Sequence, residues 1–249
     1  MKKKILMIMV TALMSGCNQA PTAVESTPPE TVIPETKAPE TNAQEAPSTQ
    51  TGQEEQAFTN LELEIGEGSL YIRSGDTFSL TYHDGKIMDY KIDNDTLYIR
   101  NTRAGDIVLT LPGNNSYETL LLTVKNGHVY GETPLTIQSF NLKLKQGEVT
   151  MEEVSVSIDS YIDVQQGSAF LSGDLGQSVT ASCQGGHLNL ELPFTEKDYN
   201  YEIDLHNGEL RLGEDQYHGR SVSQTLDNHS ERIIKLTGLQ GDISVEFEK

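Results

Sequence analysis

Gly127, Gly147, Gly167, Gly186 and Gly208 recur at steps of 20, 20, 19 and 22 residues, and Gly68 and Gly241 stand in the same local context nearer the two ends. Around each of them the apolar residues keep fixed places. Three positions before stand Ile65, Val124, Leu144, Val164, Cys183 and Leu205; two after stand Leu70, Val129, Val149, Ala169, Leu188, Leu210 and Ile243. Four after, the column continues through Ile72, Met151, Leu171, Leu190, Leu212 and Val245, with Gly131 in one copy. A further copy reads Ile92, Leu97 and Ile99 around Asp95, which takes the glycine's place. Alternation on both sides of a glycine is the period-two pattern of a half-buried strand with a bend between its two arms.

A repeat near 20 residues cannot bury its own apolar face and must stack on its neighbours. The expected fold is all-β, a parallel β-solenoid or β-roll with rungs of about 20 residues. Short strands between the glycines, such as 135–137 and 154–158, turn each rung back on itself, and Leu111-Pro112 and Leu192-Pro193 interrupt the array. The alternative is an antiparallel β-sandwich with regularly spaced hairpins. No helical periodicity follows residue 16.

Two other segments precede the repeats. Lys2, Lys3 and Lys4 lead an apolar run from Ile5 to Met14 that is too short to span a bilayer, and Leu13-Met14-Ser15-Gly16-Cys17 closes it with small residues and a cysteine. This is the pattern of a bacterial lipoprotein signal, with residues 1–16 removed and Cys17 carrying diacylglycerol and an amide-linked fatty chain such as palmitate. Residues 18–56 hold six of the nine prolines, seven glutamates and one basic residue, Lys37, in a loose Pro-Glu-Thr repeat. Such a segment buries too little apolar surface to offset the entropy of ordering, so 17–56 is expected to be a lipidated, disordered stalk. As a flexible coil it spans roughly 35 Å, which lifts the body clear of the membrane. The expected location is the extracytoplasmic face of the cell membrane, with the membrane itself the first partner.

The body, residues 57–249, carries a net charge of −16. That balance disfavours nucleic acid, which needs clustered Lys and Arg to displace counterions. Its single cysteine, Cys183, falls in an apolar column and is expected to be a buried, inert thiol. The chain has no Gly-x-Ser-x-Gly elbow, no phosphate loop, no Cys-x-x-Cys and no His-Glu-x-x-His, so the expectation is a non-enzyme without cofactor or metal. His128 and His187 both follow a repeat glycine, but three rungs at roughly 5 Å keep them about 15 Å apart, too far to share an ion. Asp93-Asn94-Asp95 opens like a calcium loop yet lacks the glycine and later glutamate, and reads as a turn.

The candidate binding residues are aromatic. Tyr71, Tyr98 and Tyr130 stand three places after the repeat position, on the face opposite the apolar columns, with Phe170 further along. Stacked in register they form an exposed ladder suited to a glycan or a protein of the envelope or a host surface; the structural alternative is that the rings only cover neighbouring strands. A passive spacer or assembly component needs only the tether, stalk and repeats. A polysaccharide-active β-helical enzyme needs a carboxylate ladder, which the columns do not contain.

The repeated Gly-polar-apolar-polar-apolar unit, the Leu-Pro turn whose polar loop ends in Asp198-Tyr199, and the closing Gly241-Asp242-Ile243-Ser244-Val245 resemble the β-strand-repeat domains known as "putative adhesins" of bacterial envelope proteins. The resemblance covers nearly all of 57–249. It implies a β-solenoid, an envelope location and an adhesin-like binding role, and it brings no catalytic residue with it.

Metabolic labelling with palmitate tests the anchor: the wild-type chain is expected to carry label on Cys17, and Cys17→Ser to carry none.

Overall fold

The computed structural model describes residues 49–50 and 57–248, apart from 84–88, 103, 114–115 and 220. Cys17, the signal 1–16 and the 17–56 segment, except for Thr49–Gln50, lie outside the described residues. Among those described, strands form one large mixed sheet that does not close on itself, with a single short 3-10 turn at Glu196–Asp198.

In chain order the strands are β1 (Thr49–Gln50), β2 (Asn60–Gly75), β3 (Ser79–His83), β4 (Asp89–Asp93), β5 (Thr96–Asn101), β6 (Asp106–Pro112), β7 (Ser116–Gly131), β8 (Leu135–Leu144) and β9 (Gly147–Val164). There follow β10 (Ser168–Leu175), β11 (Ser178–Cys183), β12 (His187–Leu192), β13 (Asn200–Leu205), β14 (Glu209–Leu212), β15 (Asp215–His218), β16 (Val222–Leu226), β17 (Ile233–Gly238) and β18 (Asp242–Phe247).

The central strands pair in parallel at the spacing of the repeat. Gly127 pairs with Gly147, Leu142 with Ile162, and Cys183 with Val164, offsets of 20, 20 and 19 residues. Each layer has a first arm, a two-residue corner and a second arm. Alternate side chains of both arms point into one apolar cluster, as in Leu122–Leu142–Ile162–Ala181 and Leu70–Val129–Val149–Ala169–Leu188. Two buried polar side chains inside are paired: Ser160 Oγ donates to the Leu175 carbonyl at 2.7 Å, and Asn101 Nδ2 to the Glu67 carbonyl at 2.8 Å.

Glycine sits where corner meets corner. A Cβ on Gly127 would lie 2.7 Å from the Gly68 carbonyl oxygen, one on Gly167 2.7 Å from that of Gly147, and one on Gly241 2.9 Å from that of Gly186. Gly68 and Gly147 also take φ of +85° and +102°, a region that side chains disfavour. The full column runs Gly105, Gly68, Gly127, Gly147, Gly167, Gly186, Gly241, Gly208, and from Gly68 on a Cβ would crowd the backbone of a neighbouring glycine.

That order corrects the sequence reading in two places. Gly105, not Asp95, faces Gly68; Asn94 and Asp95, with φ of 47° and 62°, form the two-residue turn of the β4–β5 hairpin. Gly208 does not stack on Gly186, because Gly241 lies between them. The chain therefore reverses its order at both ends. Strand β2 lies between β5–β6 and β7, and β17–β18 lie between β11–β12 and β13–β14. At each end antiparallel strands cover the outermost layer, β3 and β4 on β6 and β5, β16 and β15 on β13 and β14. Aromatic groups pack near these ends: Phe58 against Phe78 and Tyr117, and Phe194, Tyr199, Tyr201 and Phe247 against one another. Arg232 clamps the second group, with Asp174 at 2.8 and 3.1 Å and its guanidinium 4.0 Å above Phe194.

Gly167→Ala is expected to cost about 2–3 kcal/mol, through overpacking against backbone that has little room to move. Gly185→Ala, whose Cβ meets only the Gln165 carbonyl at 3.4 Å, is expected to stay within about 0.5 kcal/mol of wild type. Paired urea melts check both.

Candidate functional site: the outer face of the second arm

Because the layers are in register, residues at one repeat position form a line across the outer face. Tyr71 on β2 pairs directly with Tyr130 on β7, and beyond them the line continues through Thr150, Phe170, Asn189, Ser244 and Arg211. The two tyrosine rings stack with centroids 5.3 Å apart and 20° between planes. His128, two residues before Tyr130 on the same face, lies parallel to it at 6.3 Å and 3°.

Charged groups hold this cluster. Arg73 stands 5.8 Å above the Tyr71 ring and pairs with Glu132, two residues beyond Tyr130. The Glu132 carboxylate raises the Arg73 guanidinium above its ordinary pKa. His128 Nδ1 lies 3.6 Å from Glu148 on the next layer. Partial desolvation, then the Glu148 charge and Tyr71, push the Tyr130 phenol upward, so this ring stays neutral and keeps a donor and an acceptor for a partner. Ring stacking of this kind is worth about 0.5–1.5 kcal/mol and fixes both rings before any partner arrives.

Tyr98 does not join them. It lies on β5 in the first arm, opposite Glu62, with the Lys91 ammonium 4.7 Å from its ring. Val108 takes the place beside Tyr71. The cause is the Asp95 misalignment, since a residue placed one arm away inherits the wrong neighbours. Glu64, on the first arm of β2, bridges Arg100 at 2.9 Å and Lys125. The Lys125 hydrogen bond holds the Glu64 carboxyl below the usual range. Its stabilisation is present above the unfolded carboxylate pKa and is lost as pH falls through the lowered folded value.

Four further histidines each lie beside a carboxylate: His187 with Asp242 at 3.3 Å, His218 with Glu209 at 3.6 Å, His206 with Asp204 at 3.8 Å and His229 with Asp227 at 3.4 Å. Among the described residues, no three His, Cys, Asp or Glu side chains are grouped to hold a metal ion. Cys183 is fully buried between Val164 and Gly238, and burial pushes its thiol pKa up.

No protein-family model and no curated protein matches the chain. It is similar to the solved structure of a "putative cell adhesion protein" from Clostridium sporogenes, 12% identical over 82% of this chain and 100% of that one, with a TM-score of 0.44. It is also similar to a "putative adhesin" from Bacteroides fragilis, 14% identical over 78% of this chain and 93% of that one, with a TM-score of 0.35. Both likenesses are too distant to carry a function across.

Cys183 is expected to react with a thiol reagent such as Ellman's only as the body unfolds. Stoichiometric reaction in native buffer would place the thiol at the surface.

Proposed function

We propose that this protein is a surface lipoprotein, anchored through Cys17 on the extracytoplasmic face of the membrane, whose 57–249 body is a β-solenoid acting as a non-catalytic, adhesin-like binding module. The parallel ladders at offsets of 20, 20 and 19 residues support a solenoid over a sandwich, whose sheets pair antiparallel. The binding reading is carried by one observation, the stacked Tyr71–Tyr130 pair braced by Arg73 and Glu132 on an outer face. Aromatic and arginine groups held rigid at a surface make contacts at low entropic cost, which is why they dominate binding hot spots. The partner is a protein or glycan of the envelope or of a host surface. The acidic body keeps the module soluble and off anionic lipid and nucleic acid.

Saturable binding of the full-length protein, held in detergent micelles, to isolated cell envelopes and host-cell surfaces is the test. The double variant Tyr71→Ala/Tyr130→Ala, with an unchanged melting profile, is expected to weaken that binding about tenfold or more. Undiminished binding, or none by the wild type to any surface, overturns this assignment.

A further inference from the structure

The corners that precede the glycine column form a second line, of a different chemistry. Ala104 precedes Gly105, and one place before the other glycines stand Glu67, Asn126, Gln146, Gln166, Gly185, Gln240 and Asn207, in the spatial order of the layers. From Asn126 to Asn207 the line is an amide ladder with one rung missing, at Gly185. Gln146 Nε2 donates to Gln166 Oε1 at 3.1 Å, the contact expected of neighbours in such a ladder. At Gly185 there is no side chain, and the gap between Gln166 and Gln240 opens into a groove of about 750 Å³.

Gln165, Gln184 and Asn207 complete the amide walls, and Leu239, 40% exposed, adds an apolar patch. Lys145 and His206 are the only groups of the lining able to carry charge. The backbone at these corners is already used between layers: Gln165 N–H donates to Leu144 O at 2.8 Å, Gln184 to Val164 at 2.8 Å, Leu239 to Cys183 at 3.0 Å and Asn207 to Leu239 at 2.9 Å. A peptide adding to a sheet edge needs free backbone groups, so this groove does not suit one. What it offers is side-chain amides, and among the described residues those of Gln240 and Asn207 make no hydrogen bond. An amide presents donors and an acceptor together without charge, the complement of a vicinal pair of hydroxyls, and Leu239 suits the C–H face of a sugar ring. The volume falls within the range of about 300–1,000 Å³ typical of ligand sites.

We infer that the Gly185 notch is a binding site for an uncharged, polyhydroxylated ligand, a short stretch of neutral glycan. The site uses neither the tyrosine pair nor the lipid, and it stands or falls separately from the adhesin reading. The full-length protein in detergent is titrated by calorimetry with neutral gluco-, manno-, galacto- and N-acetylglucosamine oligosaccharides, with polygalacturonate as a charged glycan and an uncharged Gly-Ser-Asn decapeptide as a backbone mimic. Gly185→Gln restores the missing rung where the backbone accepts a side chain, and Gln240→Ala/Asn207→Ala removes two amides while leaving the gap. Binding to at least one neutral series is expected, weakened about tenfold or more in both variants and unchanged in Tyr71→Ala/Tyr130→Ala. Both variants are expected to melt as wild type does. No neutral oligosaccharide binding, preference for polygalacturonate or the peptide, or binding that Gly185→Gln leaves intact each overturns the site. Glycan binding lost only in the tyrosine variant would also overturn it and would move the ligand to the second-arm face.

Discussion

Everything in this body rests on the contact of one glycine corner with the carbonyl of the next. Parallel strands hydrogen-bond at about 4.8 Å, and at the corners that spacing leaves no volume for a Cβ on the Gly68-to-Gly208 column. The column also sets register. A slip of one residue in any layer would turn its apolar arms outward and drive a side chain into the neighbouring backbone, so the two penalties reinforce each other. The regular core, from Leu63 and Leu122 through Leu142 to Ile162, is the result of that enforced alignment.

A stack held this way has exposed ends, which the chain deals with by leaving the repeat. At both ends it builds the outermost layer out of sequence order and covers it with antiparallel strands, β3 and β4 at one and β15 and β16 at the other. Aromatic clusters around Phe58 and around Tyr201 pack beneath these regions, where the aliphatic columns run out. The Arg232 guanidinium, fixed by Asp174 and lying over Phe194, ties the Pro193–Tyr199 turn to the stack. Ends covered in this way prevent a stacked array from growing by adding another chain to its edge.

Once register is rigid, the surface becomes a set of lines, each carrying one repeat position, and chemistry follows from what a line contains. The second-arm line gathers Tyr71 and Tyr130 into a braced pair. The corner line gathers amides and, by the single substitution of glycine at 185, a notch. Neither group is made by a loop shaped for a ligand. Both arise because residues about 20 or 59 apart in the chain are brought within one strand spacing.

The sequence by itself determined the period, the inward columns and the neighbours of the central layers. Alternation and glycine spacing are local signals, and between residues 116 and 192 each layer stacks on the one before it in the chain. Tyr130 and its relation to Thr150 and Phe170 were legible for that reason. The ends were not. Which layer lies beside β2 or β12 depends on the hairpins β3–β4 and β15–β16, whose pairing is non-local and whose turns, such as Asn94-Asp95, imitate the repeat. Only the tertiary structure decided that Gly105 completes the column, that Gly241 separates Gly186 from Gly208, and that Tyr98 faces Glu62 rather than the other rings. The amide line lay in the sequence one place before the glycines from Gly127 on, but its gap acquires a shape only when Gln240, 55 residues after Gly185, is laid against it. Period is a property of the chain, whereas adjacency at the ends follows from how the chain closes off its own exposed edges.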